Sequence, residues 1–291
     1  MVGLCTLLIL GNILSMGVQL IIPHLDVQAT DTDAIRLMLY VSALSQLLCF
    51  LLPSLIFVKL YQGSLKQSLN LDFKLSKWGL AGVAVTIFLL IMPANDWFGA
   101  WNEGWALGSW ADGLRQLAQR VRQMSGNLLS LQSPFDIVLL LLIVALIPAI
   151  CEELLFRGIL QPMTQHMTHN AHAGIVLTAL IFSVAHGDIF GLVPRFFLGL
   201  LLGYVYYYSG SMLVNVSAHF FNNAAIVVMY ALYNKNILAM SPEEPMLFPW
   251  FTTFLCTIAA AVLFSLYFVQ PRQKTNPRTE KQQKRRVRRT N

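Results

Sequence analysis

Long apolar runs alternate with short polar ones along almost the whole chain. Runs near 3–23, 36–60, 78–94, 136–159, 173–187, 190–208, 211–232 and 248–270 are each about the length needed to cross a ~30 Å hydrocarbon core, the fifth being short. The pattern predicts eight membrane helices. The first run lacks a basic flank and a small-residue cleavage site, so it reads as an anchor rather than a signal peptide. The longest connection, about 95–135, holds Trp97, Trp101, Trp105 and Trp110. It then sets Trp110, Leu114, Leu117, Val121 and Met124 at helical spacing opposite Arg115, Arg120 and Arg122. This predicts an amphipathic helix in the membrane interface, with the tryptophans as an aromatic belt and a role in substrate gating as the alternative.

Composition agrees with that pattern. The 291 residues are 56% hydrophobic and 12% charged, with mean hydropathy +0.60, whereas soluble domains average about 25% charged. The expected fold is an all-α polytopic membrane protein, about eight transmembrane helices around a polar intramembrane cavity. One membrane domain covers 1–270, and 271–291 form a basic, disordered tail.

The net charge of +6 belongs to that tail, which holds nine of the 20 Lys and Arg and one of the 14 Asp and Glu, leaving the rest at −2. Beside a membrane span the KQQKRRVRR run reads as a cytoplasmic, anionic-lipid-facing flank, with no nucleic-acid role. A cytoplasmic tail puts the loop with Lys66, Lys74 and Lys77 on the same side. The acidic loops 24–35 and 233–247, the latter with Glu243 and Glu244, are then external and the N-terminus cytoplasmic. Cys5, Cys49, Cys151 and Cys256 show no CxxC spacing, so no disulfide framework or zinc knuckle follows.

Against this apolar background, CEELLFRGIL at 151–160 places Glu152, Glu153 and Arg157 in a membrane run. Each such charge costs roughly 2.5–3.5 kcal/mol near the bilayer centre. On a helix Glu153 reaches Arg157 one turn on, while Glu152 points about 100° away and needs another partner. Two later helices carry His186, four residues after Phe182, and His219, four residues before Asn223. Polar groups on three separate spans each need a partner in lipid. Amide hydrolysis gives them a common purpose: Glu152 with His186 can activate water, and His219 with the Asn223 amide can hold the oxyanion.

EExxxR at Glu152, Glu153 and Arg157, FxxxH at Phe182 and His186, and HxxxN at His219 and Asn223 resemble, in order, the CAAX-protease and bacteriocin-processing family of intramembrane proteases. Its relatives include Rce1-type prenyl-protein proteases and lysostaphin-resistance-type membrane proteins. The likeness covers about 136–232. It implies an intramembrane endopeptidase of the CAAX prenyl type acting on membrane-anchored proteins or peptides, with Glu152, His186, His219 and Asn223 catalytic and Glu153 and Arg157 supporting. Asn222 beside Asn223 leaves open which amide points inward.

Metal use stays open, because Glu152, His186 and His219 are also a donor set for Zn²⁺ with an open water position, while a metal-bound Glu152 is no longer a free base. His166, His169 and His172 form another candidate metal cluster. A transporter or a non-catalytic scaffold or immunity protein could use the same buried polar groups for binding, and Cys151 beside Glu152 could serve a thiol mechanism. Counting ~1.5 Å per residue from the span edges puts Glu152 near the cytoplasmic side, His219 deeper and His186 deeper still. A shared site therefore needs short or tilted helices around a water-filled cavity.

Overall fold

The computed structural model describes residues 32–62, 75–242 and 246–269. The expected anchor at 3–23, Lys66, Lys74, Glu243, Glu244 and the basic tail lie outside the described residues. Those described are helical with no strand: α1 Thr32–Leu60, α2 Leu75–Glu103, α3 Asp112–Leu128, α4 Pro134–Thr168, α5 Ala171–Ala185, α6 Leu192–Ser209, α7 Met212–Asn234 and α8 Trp250–Tyr267. Six of them, α1, α2, α4, α6, α7 and α8, are long and apolar enough to cross a membrane. The polytopic all-α class holds. The count of eight is not reached among the described residues, because one expected span lies outside them and α5 has only 15 residues.

Contacts between helix ends sort them into two sets. Lys77 at the start of α2 donates to the Ser209 carbonyl at the end of α6 (2.6 Å), and His172 at the start of α5 meets Tyr204 of α6 (3.1 Å). At the other end, Arg36 of α1 pairs with Asp136 of α4 (2.8 Å), Trp97 of α2 donates to the Phe248 carbonyl (3.2 Å), and Asn234 of α7 donates to the Leu129 carbonyl (3.0 Å). Apart from α3, successive helices from α1 to α8 therefore run in alternate directions.

α4 is the central element, packing against both α1 and α7. Its 35 residues include two π-helical segments, Leu141–Leu146 and Phe156–Leu160, and each ends two residues before a proline, Pro148 or Pro162. A proline has no N–H for the carbonyl one turn back, and a wide turn lets the next N–H serve it instead. Such turns recur at functional sites, and the second begins three residues after Glu153.

α5 and α6 pack as a hairpin against α4, with small residues at the contact. A Cβ on Gly203 would stand 2.8 Å from Ile175 Cγ2, and one on Gly199 would stand 3.0 Å from Phe182 Cδ1. This close approach, typical of a GxxxG face, lets two side chains of α4 reach backbone carbonyls of α6. Arg157 Nη2 donates to Gly199 O (2.9 Å) and Gln161 Nε2 to Gly203 O (3.1 Å). α8 sits at the periphery on α2, with Trp250, Phe254, Leu255 and Val262 exposed toward lipid.

Candidate functional site

On α4, the expected Glu153–Arg157 pair is present, fully buried, with Nη1 2.9 Å from Oε1. It is part of a larger network. The second Glu153 oxygen accepts from Asn215 Nδ2, and the first also meets His219 Nδ1 at 2.8 Å. A buried carboxylate is tolerated when its lone pairs are filled and a cation stands beside it, and Glu153 has both.

On α7, Asn215, His219 and Asn223 follow one another at four-residue spacing and make one polar stripe on an apolar helix. Because Glu153 is an acceptor, His219 Nδ1 carries the proton and Nε2 is left free. That nitrogen faces Glu152, with Oε2 3.8 Å away. Asn222 Nδ2 donates to Asn223 Oδ1 (3.3 Å), which leaves the Asn223 amide N–H groups as donors. Both asparagines line the cavity described below.

His186 is the residue that closes α5. Its Nδ1 donates back to the Phe182 carbonyl (2.8 Å), so Nε2 is again the free nitrogen, and its ring rests edge-on to the Phe182 ring with centroids 4.8 Å apart. The turn that follows is tied down on two sides. Buried Asn102 of α2 donates to Ile189 O (3.0 Å) and accepts from Val193 N (2.8 Å). Asp188 accepts from Phe190 N and holds Arg195 through both guanidinium nitrogens at 3.0 and 3.1 Å. Gly187, at φ 68°, makes the left-handed step between His186 and Asp188.

These elements converge. A cavity of about 280 Å³ is lined by Glu152, His186, His219 and Asn223, with Asn222, Phe182, Asn95 and Arg195 also in its wall. The depth conflict in the sequence has a simple origin. α4 runs on to Thr168 instead of stopping near 159, which moves Glu152 to the middle of its helix, while His186 closes the short α5, near whose end it was expected.

Among the described residues no three His, Cys, Asp or Glu side chains converge as a metal-holding group. Glu152, His186 and His219 are not brought together as such a group in this arrangement, and no step below passes through a metal. His166, His169 and His172 likewise do not form a cluster; His172 is engaged with Tyr204. Cys151 is buried and lines neither this cavity nor its neighbour.

A second cavity, of about 690 Å³, shares Asn95, His186, Gly191, Pro194, Arg195 and Ile226 with the first. Its outer wall is α3. The amphipathic helix expected near 110–124 exists at Asp112–Leu128, and Leu114, Leu117 and Val121 of its apolar face line this space. Arg115 fastens α3 to the end of α2 through the Glu103 and Trp105 carbonyls and lies 4.3 Å over the Phe190 ring. Trp97, Trp101 and Trp110 are exposed and line neither cavity.

Sequence reasoning missed Asn215, Asn102, Asn95 and Gln161. Asn215 carried a readable signal, since it stands one turn before His219 just as Asn223 stands one turn after. Asn102 and Asn95 sit in a stretch that reads as loop beyond the apolar run, and only the continuation of α2 to Glu103 brings them to the site.

No curated protein and no solved structure matches the chain. A family model does match, the one described as type II CAAX prenyl endopeptidase Rce1-like, over residues 134–225. The match starts at the first residue of α4 and ends two residues after Asn223, so it spans all three motifs and the network that joins them; over 134–225 the chain is similar to the Rce1-like family.

Proposed function

We propose that this protein is an intramembrane endopeptidase that hydrolyses peptide bonds of membrane-associated proteins or peptides. One observation carries the reading: an acid, two histidines and an asparagine from three helices share a single cavity. Water between Glu152 and His186 gives up a proton to the carboxylate as it attacks the scissile carbonyl, and the free Nε2 of His186 accepts a hydrogen bond from that water. The Asn223 amide donates to the developing oxyanion. His219, once its Nε2 carries a proton taken up from bulk water before the attack, is a second donor, with Nδ1 committed to Glu153. Glu152 finally returns its proton to the leaving amine. The bond broken is C–N, and the water supplies OH to one product and H to the other.

The Rce1-like match supports proteolysis as the class of reaction. The positive-inside rule supports a cytoplasmic C-terminal tail that rests on anionic lipid. The direct test is cleavage of membrane peptides by the purified chain, with and without chelator. Product formation that disappears in Glu152→Gln upholds the reading. Substrate flux without any cleaved product in reconstituted vesicles overturns it in favour of a transporter.

A further inference from the structure

The large cavity shares six lining residues with the smaller one that holds Glu152 and has room for more than a scissile bond; its ~690 Å³ lies inside the range of about 300–1,000 Å³ usual for ligand sites. Leu114, Leu117 and Val121 of α3 form one wall, and Ile226, Met229 and Tyr230 of α7 contribute another. The charges between them are unevenly matched. Arg122 pairs with Glu103, and Arg195 pairs with Asp188. Asp96 lines the same space and has no ion pair or hydrogen bond among the described residues. Two cations face three carboxylates, and Glu152 in the adjoining cavity adds another anion. Asp96 is also one residue from Asn95, which lines the catalytic cavity itself.

We infer that the large cavity is a substrate subsite for a polypeptide segment carrying a lysine or arginine near the scissile bond, and that Asp96 is the residue that selects this cation. The inference rests on the proteolytic reading above and adds a substrate class to it. An unpaired carboxylate on a half-enclosed, largely apolar wall attracts a cation more strongly than one in open water, because the effective dielectric is lower. It also disfavours an acidic side chain in the same place, so Asp96 discriminates in both directions. The apolar faces of α3 and α7 would cover the aliphatic stem of the basic residue and its neighbours.

The test uses the full chain in detergent and a series of membrane-associated peptides in which Lys, Gln or Glu is scanned through the positions flanking the cleaved bond. At one position Lys should exceed Gln in kcat/KM by about fivefold, the equivalent of ~1 kcal/mol for a partly exposed pair, with the difference mainly in KM. The Lys-to-Gln ratio should fall to about one in Asp96→Asn and invert toward Glu in Asp96→Lys, and because it is a ratio it is insensitive to a general loss of active protein. The same peptides, labelled and bound to Glu152→Gln, report the preference by fluorescence anisotropy without any turnover. No preference for Lys at any position, or a ratio unchanged in Asp96→Asn, overturns the inference. Absence of cleavage by the parent chain combined with Lys-selective, Asp96-dependent binding would instead overturn the proteolytic reading and leave the cation subsite standing.

Discussion

Glu153 Oε1 lies 2.8 Å from His219 Nδ1, and this one contact fixes both the tautomer and the direction of the histidine. It joins the motif on α4 to the motif on α7, and it makes Glu153 a positioning residue as well as the counter-ion of Arg157. Glu153→Gln is therefore expected to destabilise the protein by about 3–5 kcal/mol, because it strands a buried guanidinium, and to remove activity with it. Glu152→Gln, with no cation to strand, should unfold close to the parent chain. Thermal unfolding of both variants in detergent distinguishes them; equal midpoints would refute the asymmetry.

Glu152→Gln keeps the shape of the side chain and its ability to hydrogen-bond but cannot accept a proton. Hydrolysis should fall by about 10²–10⁴-fold while peptide binding persists. Cys151→Ser should retain cleavage. The reverse result, a dead Cys151→Ser and an active Glu152→Gln, would move the chemistry to the thiol.

Asn223→Ala removes a donor aimed into the catalytic cavity, and about 10²–10³-fold should be lost in kcat. The pH at which activity rises should not move, since that limb belongs to the base. Asn215→Leu is different in kind. It leaves one oxygen of a fully buried carboxylate without its partner, so it should cost about 1–3 kcal/mol in stability, read from the unfolding midpoint. An Asn223→Ala profile displaced along the pH axis would show that Asn223 acts on the base instead.

The α5–α6 contact offers a purely structural test. Gly203→Ala places a Cβ 2.8 Å from Ile175 Cγ2 and 3.2 Å from Gln161 Oε1, so it is expected to cost about 1–3 kcal/mol through overpacking. Gly82→Ala, on α2, meets nothing within 4 Å and should be neutral or stabilising by up to about 1 kcal/mol. If the two variants melt together, the close approach of the helices is not what holds this hairpin.

Much of this was legible before any coordinates. Apolar runs mark where spans lie because lipid permits few alternatives to a helix of about 20 residues. Glu152, His186, His219 and Asn223 stood out because polarity in lipid needs a reason. What could not be read is how far a helix continues past its apolar run. α4 carries QPMTQHMT on to Thr168, and α2 carries NDWFGAWNE on to Glu103, both stretches too polar for a hydropathy window yet sustained by neighbours. The same limit hid the Asn102 clamp and put Glu152 at the wrong depth. Gln161 escaped for another reason: its partner is a backbone carbonyl of α6, and a carbonyl is the same whatever the residue.

α5 spans roughly 22 Å at ~1.5 Å per residue, short of a ~30 Å core, and His186 stands where it stops. The missing length is occupied by a turn, two ion pairs and an open cavity rather than by apolar helix. The proposed hydrolysis needs a water molecule for every bond cut, and an opening at the end of α5 would admit it without passage through hydrocarbon. It also gives the reaction a direction. If the proteolytic reading holds, a substrate helix in the bilayer would meet Glu152 from the end where α5 falls short, and two transmembrane peptides of identical sequence and opposite orientation would not be equivalent to this protein.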